Sequence, residues 1–466
     1  MPLLPTVDLG YSQYRGMSLS NGVDQYLGIR YAKAPLGDLR FRGPEDPEET
    51  AEILDASSFG PLCVGVGESI SDSLSEDCLF INVWRPTTAS ADSNLPVWLE
   101  VVRESGHNII FVNFNYRVGV LGFLASEHVR ENGDLNAGLL DQRKALYWVQ
   151  KHIRKFGGNP DHVVIHGDSA GAGSVAYHLT AYGERNTDLF VGAVAESPFW
   201  PTQRTVAQME FQYDRGLFGM LAFCGYQNDS KIQRRQAVPG GSSMPVPEWY
   251  FLPVVDGNLI HDHLYNLFSE GKFVHVPLLV GDETNEGTEF AYNASSKSEV
   301  AQFMKNNYPG LSHDQLEAIN RAYEDAKPLP KHAAYFASAA GAYGDATFTC
   351  PGNFMTAAMA GSFSSDLTWN YRYNVRDPTN IANGMGVPHV SNAKIVPVTM
   401  HYYLSFIRFL DPNICRYKDA PEWQPWGSGA GRRLKLQTNS TEMESIPRLE
   451  VERCSMWKDF AADMQI

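Results

Sequence analysis

Between Leu95 and Gly192, short apolar runs alternate with stretches whose apolar residues recur at helical spacing. That alternation predicts a largely parallel sheet whose strands are joined by covering helices. Val97 to Val102 and Ile109 to Phe114 read as buried strands. From Asp141 onward, Leu146, Val149, Ile153 and Phe156 fall on one helical face, and Gly157-Gly158-Asn159-Pro160 supplies a stop. The β-branched run His162-Val163-Val164-Ile165-His166 predicts the next strand. Gly167-Asp168-Ser169-Ala170-Gly171 then turns from it into small residues that can open a helix. Val276 to Gly281 and Leu367 to Tyr373 predict two later strands, and about 299–361 is mostly helix-prone and would cap the sheet. The fold class is α/β: a mostly parallel central sheet with helices on both faces and helical excursions. No repeat, low-complexity block or long Ser/Pro/Gly linker divides the chain, so 1–466 reads as one domain.

Composition narrows the function classes. Apolar residues make up 43% and charged residues 20%, and no run approaches the ~18 apolar residues of a membrane span, so integral membrane association is not expected. With 38 basic against 53 acidic side chains the net charge is −15, which repels nucleic acid and anionic lipid surfaces. The first eight residues carry neither a basic nor an apolar region, so they do not read as a signal peptide. Sequons at Asn228, Asn293 and Asn439 fit an extracellular chain. Cys63 and Cys78 are spaced for a loop-closing bridge, whereas Cys224, Cys350, Cys415 and Cys454 allow three pairings.

The turn around Ser169 carries the candidate chemistry. A serine hydroxyl needs a base to take its proton and a position clear of the backbone from which to reach a carbonyl carbon. A G-x-S-x-G turn between strand and helix meets the second need, and its next amide, that of Ala170, faces the developing oxyanion. An acid should follow the serine and a histidine should follow the acid. By spacing alone Asp282, Glu283, Glu286 and Glu289 all remain open as the acid. His166, just before the turn, reads as a strand histidine with satisfied hydrogen bonds. No metal-ligand cluster, phosphate loop or dinucleotide fingerprint is present, so no cofactor is expected.

With Glu76-Asp77-Cys78-Leu79-Phe80-Ile81-Asn82-Val83 upstream of that turn, the chain resembles the type-B carboxylesterases and cholinesterase-like lipases, the fungal members most of all. Asn115-Tyr116-Arg117-Val118-Gly119, Leu139-Leu140-Asp141-Gln142 and Phe156-Gly157-Gly158-Asn159-Pro160 extend the likeness. It runs from about Gly22 to Val194 and resumes near Phe251. The resemblance implies an α/β-hydrolase fold and a serine carboxylic ester hydrolase acting on a small-molecule or lipid ester through an acyl-enzyme. It singles out Ser169 as nucleophile, Glu286 in Asn285-Glu286-Gly287-Thr288 as acid and His389 in Gly386-Val387-Pro388-His389 as base. It further implies a Cys63–Cys78 disulfide, a buried Glu76–Arg117 ion pair and secretion.

The sequence also departs from the family. A glycine-rich His/Gln-Gly-Gly-Gly loop, whose amides supply the other oxyanion donors, should follow the strand that begins Leu-Pro-Val-Trp. Here Leu95-Pro96-Val97-Trp98-Leu99-Glu100 runs straight into Val101-Val102-Arg103. The stretches around Arg215 to Cys224 and after His389 also look shortened. These losses keep a second function class open: a catalytically impaired or inactive relative that uses its surface for binding.

Overall fold

The computed structural model describes residues 4–66, 68–99, 108–183, 188–220, 249–390, 396–427 and 431–466. Among these residues the main sheet has eleven strands. From one edge they run Glu442–Ser445, Arg432–Leu436, Thr368–Tyr373, Leu278–Glu283, Gly192–Glu196, Gly158–Asp168, Leu95–Leu99, Ile110–Phe114, Phe80–Pro86, Val23–Arg30 and Met17–Ser18. Pairing is parallel from Arg432–Leu436 across to Ile110–Phe114 and antiparallel at both edges. The expected strands all form, with ends displaced by a few residues, and positions 101 and 102 of the first lie outside the described residues.

Both faces of the sheet are covered, which explains why the central strands are apolar throughout rather than alternating. On one face Val163 and Ile165 pack with Leu146, Val149, Ile153 and Phe156. On the other, Trp98, Val164 and Trp369 pack with Tyr402, Phe406 and Ile407 of helix Val396–Phe409. The helix expected from Asp141 begins earlier and runs Ala137–His152, followed by a tighter 3-10 turn, Ile153–Phe156. Gly157 ends that turn at φ 91°, where a Cβ would also lie 2.7 Å from the Ser90 carbonyl oxygen. The helix-prone stretch resolves into Lys297–Asn307, His313–Ala322, Phe336–Gly344 and Cys350–Ser362.

One implied contact is corrected. Arg117 pairs with Asp141, not with Glu76: its Nε and Nη2 donate to the two Asp141 oxygens at 2.7 and 2.6 Å, and its backbone amide donates to Oδ2 at 3.0 Å. Glu76 accepts instead from Arg40 Nε at 2.6 Å. Asp141, on the buried face of its helix, is fully enclosed and requires a countercharge, and its two oxygens match the guanidinium fork.

Cys63 and Cys78 are bridged as the resemblance implies. Cys350 bridges Cys454, tying helix Cys350–Ser362 to Arg448–Met464, while Cys415 is free and Cys224 lies outside the described residues. The bridges span 15 and 104 residues, so loop closure is worth about 3 and about 4.7 kcal/mol respectively. Cys454→Ser is therefore expected to lower the melting temperature more than Cys63→Ser does. Thermal melts in oxidising buffer measure both, and equal or absent shifts would contradict the loop-length argument.

Candidate active site

Ser169 sits between strand Gly158–Asp168 and helix Ala170–Thr180, with φ 59° and ψ −120°. Left-handed φ is costly for a residue with a Cβ, so its surroundings must hold it there. The Ser169 amide donates to the Glu196 carbonyl at 2.9 Å, and its carbonyl accepts from the Gly173 amide at 3.0 Å. The small neighbours follow from contact distances. A Cβ on Gly167 would lie 2.2 Å from the Gly171 carbonyl, and one on Gly173 would lie 2.4 Å from that of Phe199. Ala170, the first helical residue, is exposed, and a first-turn amide has no intrahelical acceptor.

Two loops bring the other expected residues to this serine. Strand Leu278–Glu283 leads into a turn at Glu286–Glu289 that lies against helix Phe336–Gly344 so closely that a Cβ on Gly287 would meet the Ala340 oxygen at 1.9 Å. Asn285 then fastens the histidine loop: its amide donates to the Val387 carbonyl, and its Oδ1 accepts from the Val387 amide, both at 2.9 Å. Gly386, at φ 69°, gives that side chain room. His389 Nε2 accepts from Ser169 Oγ at 2.7 Å, and its Nδ1 donates to Glu286 Oε2 at 2.6 Å. The ring is buried between Phe290 and Phe348, with centroids at 5.1 and 4.6 Å. Phe348 belongs to a π-helical turn, Asp345–Thr349, inserted in the helical run.

The other candidate acids are placed differently. Asp282 is buried beneath the site, Glu289 is exposed on the cavity wall, and the Glu283 carboxyl lies behind Glu286, linked to it through Ser197. His166 accepts from Trp98 Nε1 at Nδ1 and faces Glu196 through Nε2, each at 3.0 Å, which satisfies it within its strand.

Sequence reasoning passed over Ser197. Its Oγ lies 2.7 Å from Glu286 Oε1 and also contacts Glu283 Oε2, while the Glu283 amide donates to Glu286 Oε1 at 2.7 Å. One hydroxyl has one proton and cannot donate to both carboxylates. Glu283 therefore holds a proton and donates to Ser197, which donates to Glu286. Burial, then the Glu286 charge, pushes the Glu283 carboxyl well above its ordinary value. Burial also raises Glu286 to about 7, against the Glu283 and Ser197 hydrogen bonds that lower it. It lowers the His389 imidazole, against the nearby carboxylates of Glu283, Asp168 and Glu289. Asp168 rises to about 7, through burial first and Glu196 and Glu283 next.

Above Ser169 opens a cavity of about 860 Å³, lined by Tyr177, Phe199, Trp249, Phe251, Phe290 and Phe348 among others. An apolar cavity of this size with a few convergent polar groups suits a small organic substrate.

A parallel sheet carrying a strained serine at a strand-to-helix turn, with histidine and carboxylate arriving on later loops, defines an α/β-hydrolase fold. The chain belongs to the carboxylesterase family, whose model it matches over residues 4–105 and 100–457. It is similar to the crystal structure of Aspergillus niger EstA, with 49% identity, a TM-score of 0.93 and 99% of each chain covered. Lipase 2 of Geotrichum candidum is 28% identical over 85% of this chain and 85% of its own. Secreted lipase 4 of Gibberella zeae is 28% identical over 95% of this chain and 89% of its own, in an alignment of 505 residues. That alignment is longer than the 466-residue chain, so the relative has segments that are lacking here. The two matched stretches of the family model overlap at residues 100–105, where the glycine-rich loop is expected. Membership supports carboxylic ester hydrolysis as the chemistry of this site.

Proposed function

We propose that this chain is a serine carboxylesterase or lipase in which Ser169 attacks the ester carbonyl, His389 takes its proton and Glu286 stabilises the imidazolium. The observation that carries this reading is the continuous hydrogen-bonded line from Glu286 through His389 to Ser169, which opens into the aromatic cavity. The Ala170 amide is the oxyanion donor in this scheme, and water hydrolyses the acyl-enzyme. The substrate is an uncharged small-molecule or lipid ester, which suits the apolar walls. No described helix is long and apolar enough to cross a membrane. Two disulfides and the exposed sequon residues Asn293 and Asn439 support a secreted, glycosylated protein working as one 466-residue domain. Asn228 lies outside the described residues.

A fluorophosphonate probe tests the activated serine: labelling is expected on the parent and absent from Ser169→Ala. The second reading, a binding protein without catalysis, draws on the missing glycine loop and predicts no labelling of either.

The acid limb of the pH profile follows from the pair. Glu286 and His389 titrate as a unit, and proton uptake by either removes the base. kcat/KM is therefore expected to fall as the pH drops below about 7 and to be retained above it. Glu283→Gln should keep both turnover and this limb, because an amide donates to Ser197 as a protonated carboxyl does. Ser197→Ala should lower kcat roughly 10- to 100-fold, the worth of one hydrogen bond to a charged group. A limb displaced to lower pH in Glu283→Gln would mean that Glu283 is ionised in the parent.

A further inference from the structure

Beside the catalytic cavity lies a smaller one of about 180 Å³ that shares Pro201, Trp249, Leu252 and Pro253 with it. Its polar groups are unusual for an interior wall. Thr202 is 9% exposed, and its buried Oγ1 has no hydrogen-bond partner. Arg204, half-buried, has its guanidinium 5.6 Å over the Phe211 ring and makes no ion pair or side-chain hydrogen bond among the described residues. Buried hydroxyls are normally paired, and a guanidinium withdrawn from water normally has a countercharge. Here burial lowers the Arg204 pKa from its ordinary value without a carboxylate to oppose it, yet a guanidinium stays charged. Among the described residues the site has a cation and a hydroxyl and no anion.

We infer that Arg204 and Thr202 form a binding site for a small monocarboxylate with a short apolar tail, the same chemical class as the acid that ester hydrolysis releases. The guanidinium fork would take both carboxylate oxygens, and the Thr202 hydroxyl would donate to one of them. The tail would lie against Met209, Phe211 and Tyr308. A phosphate dianion suits the site less, because one cation and one hydroxyl leave its remaining charge and oxygens unpaired in a largely apolar cavity. The volume accommodates a carboxylate and a few carbons rather than a drug-sized ligand. The site does not require Ser169 to be activated, so it can fail or hold independently of the proposed catalysis.

The test is calorimetric titration of the full chain with sodium butyrate, and separately with inorganic phosphate, at constant ionic strength. Saturable butyrate binding is expected, weakened roughly 10- to 100-fold in Arg204→Gln, the loss expected for one charge-assisted interaction. Thr202→Val, which keeps the side-chain shape, should also weaken it. Arg204→Gln should melt at a higher temperature than the parent without butyrate, since it removes an unpaired charge, and should lose the rise in melting temperature that butyrate gives. Both variants should turn over p-nitrophenyl butyrate at the parent rate, so a loss of binding with turnover intact locates the anion outside the catalytic cavity. Butyrate binding unchanged in both variants would overturn the assignment, as would no saturable binding to the parent. Phosphate binding as tightly as butyrate would overturn the carboxylate class.

Discussion

Replacing His389 with alanine is expected to lower kcat for p-nitrophenyl butyrate by about 10⁶-fold, the scale on which serine hydrolases respond to loss of the nucleophile or its base. Among the described residues, one base lies within hydrogen-bond distance of the Ser169 hydroxyl, His389 Nε2 at 2.7 Å. The sequence alone makes this a loop histidine whose loss should cost little packing. The structure alters that expectation, because the ring fills the space between Phe290 and Phe348 and is only 8% exposed. His389→Ala should therefore also melt at a lower temperature, through the cavity it leaves. His389→Gln separates the two effects: it occupies most of the space and should melt closer to the parent, yet be as inactive as the alanine variant. Steady-state kinetics with a thermal melt on each variant reads this directly. Retention of more than about a hundredth of the parent rate by either would place the base elsewhere.

Much of the site was legible because its geometry is local. Gly167 to Gly171 announces a strand-to-helix turn, and the close approach of Gly167 to Gly171 shows why larger residues do not fit there. The order serine, acid, histidine follows from the order of parallel strands, whose ends lie side by side at one edge of the sheet. The contacts that select one acid among four are not local. Asn285 recognises Val387 from 102 residues away, and Ser197 reaches Glu286 across 89. Ser197 itself, a single serine after a strand, bears no pattern that separates it from a surface turn. The same limit explains Arg117: the motif containing Asp141 was visible, but which buried carboxylate would meet the guanidinium depended on how a helix packed. Element ends were legible only to within a turn. Gly157 does stop the helical region, yet the last turn tightens to a 3-10 form before reaching it. Val390, immediately after the histidine, has φ 53°, a strained value for a β-branched residue, at the point where the sequence looks shortened.

Inserting a Gly-Gly-Gly-containing segment between Glu100 and Val101 is expected to raise kcat by roughly 10⁴-fold or more while changing KM far less. The junction lies outside the described residues, but its flanks are informative. Strand Leu95–Leu99 runs parallel to Gly158–Asp168, which ends at Ser169, so a loop leaving the same end of both strands emerges beside the nucleophile. The overlap of the two family-model matches at residues 100–105 falls at this exit. Among the described residues, the proposed oxyanion site rests on the Ala170 amide. Each further donor typically contributes about 10²–10³ to turnover, so two restored amides account for the expected gain. The gain should fall on kcat because these donors meet negative charge that develops only in the transition state and is absent from the bound ester. Proton abstraction by His389 does not depend on the loop, so the uninserted chain should still react slowly with a fluorophosphonate. Circular dichroism and a cooperative melt must show both proteins folded before their rates are compared. If the uninserted chain is folded and hydrolyses p-nitrophenyl butyrate as fast as the loop-bearing one, the oxyanion donors come from another part of the cavity and the assignment to this loop is wrong.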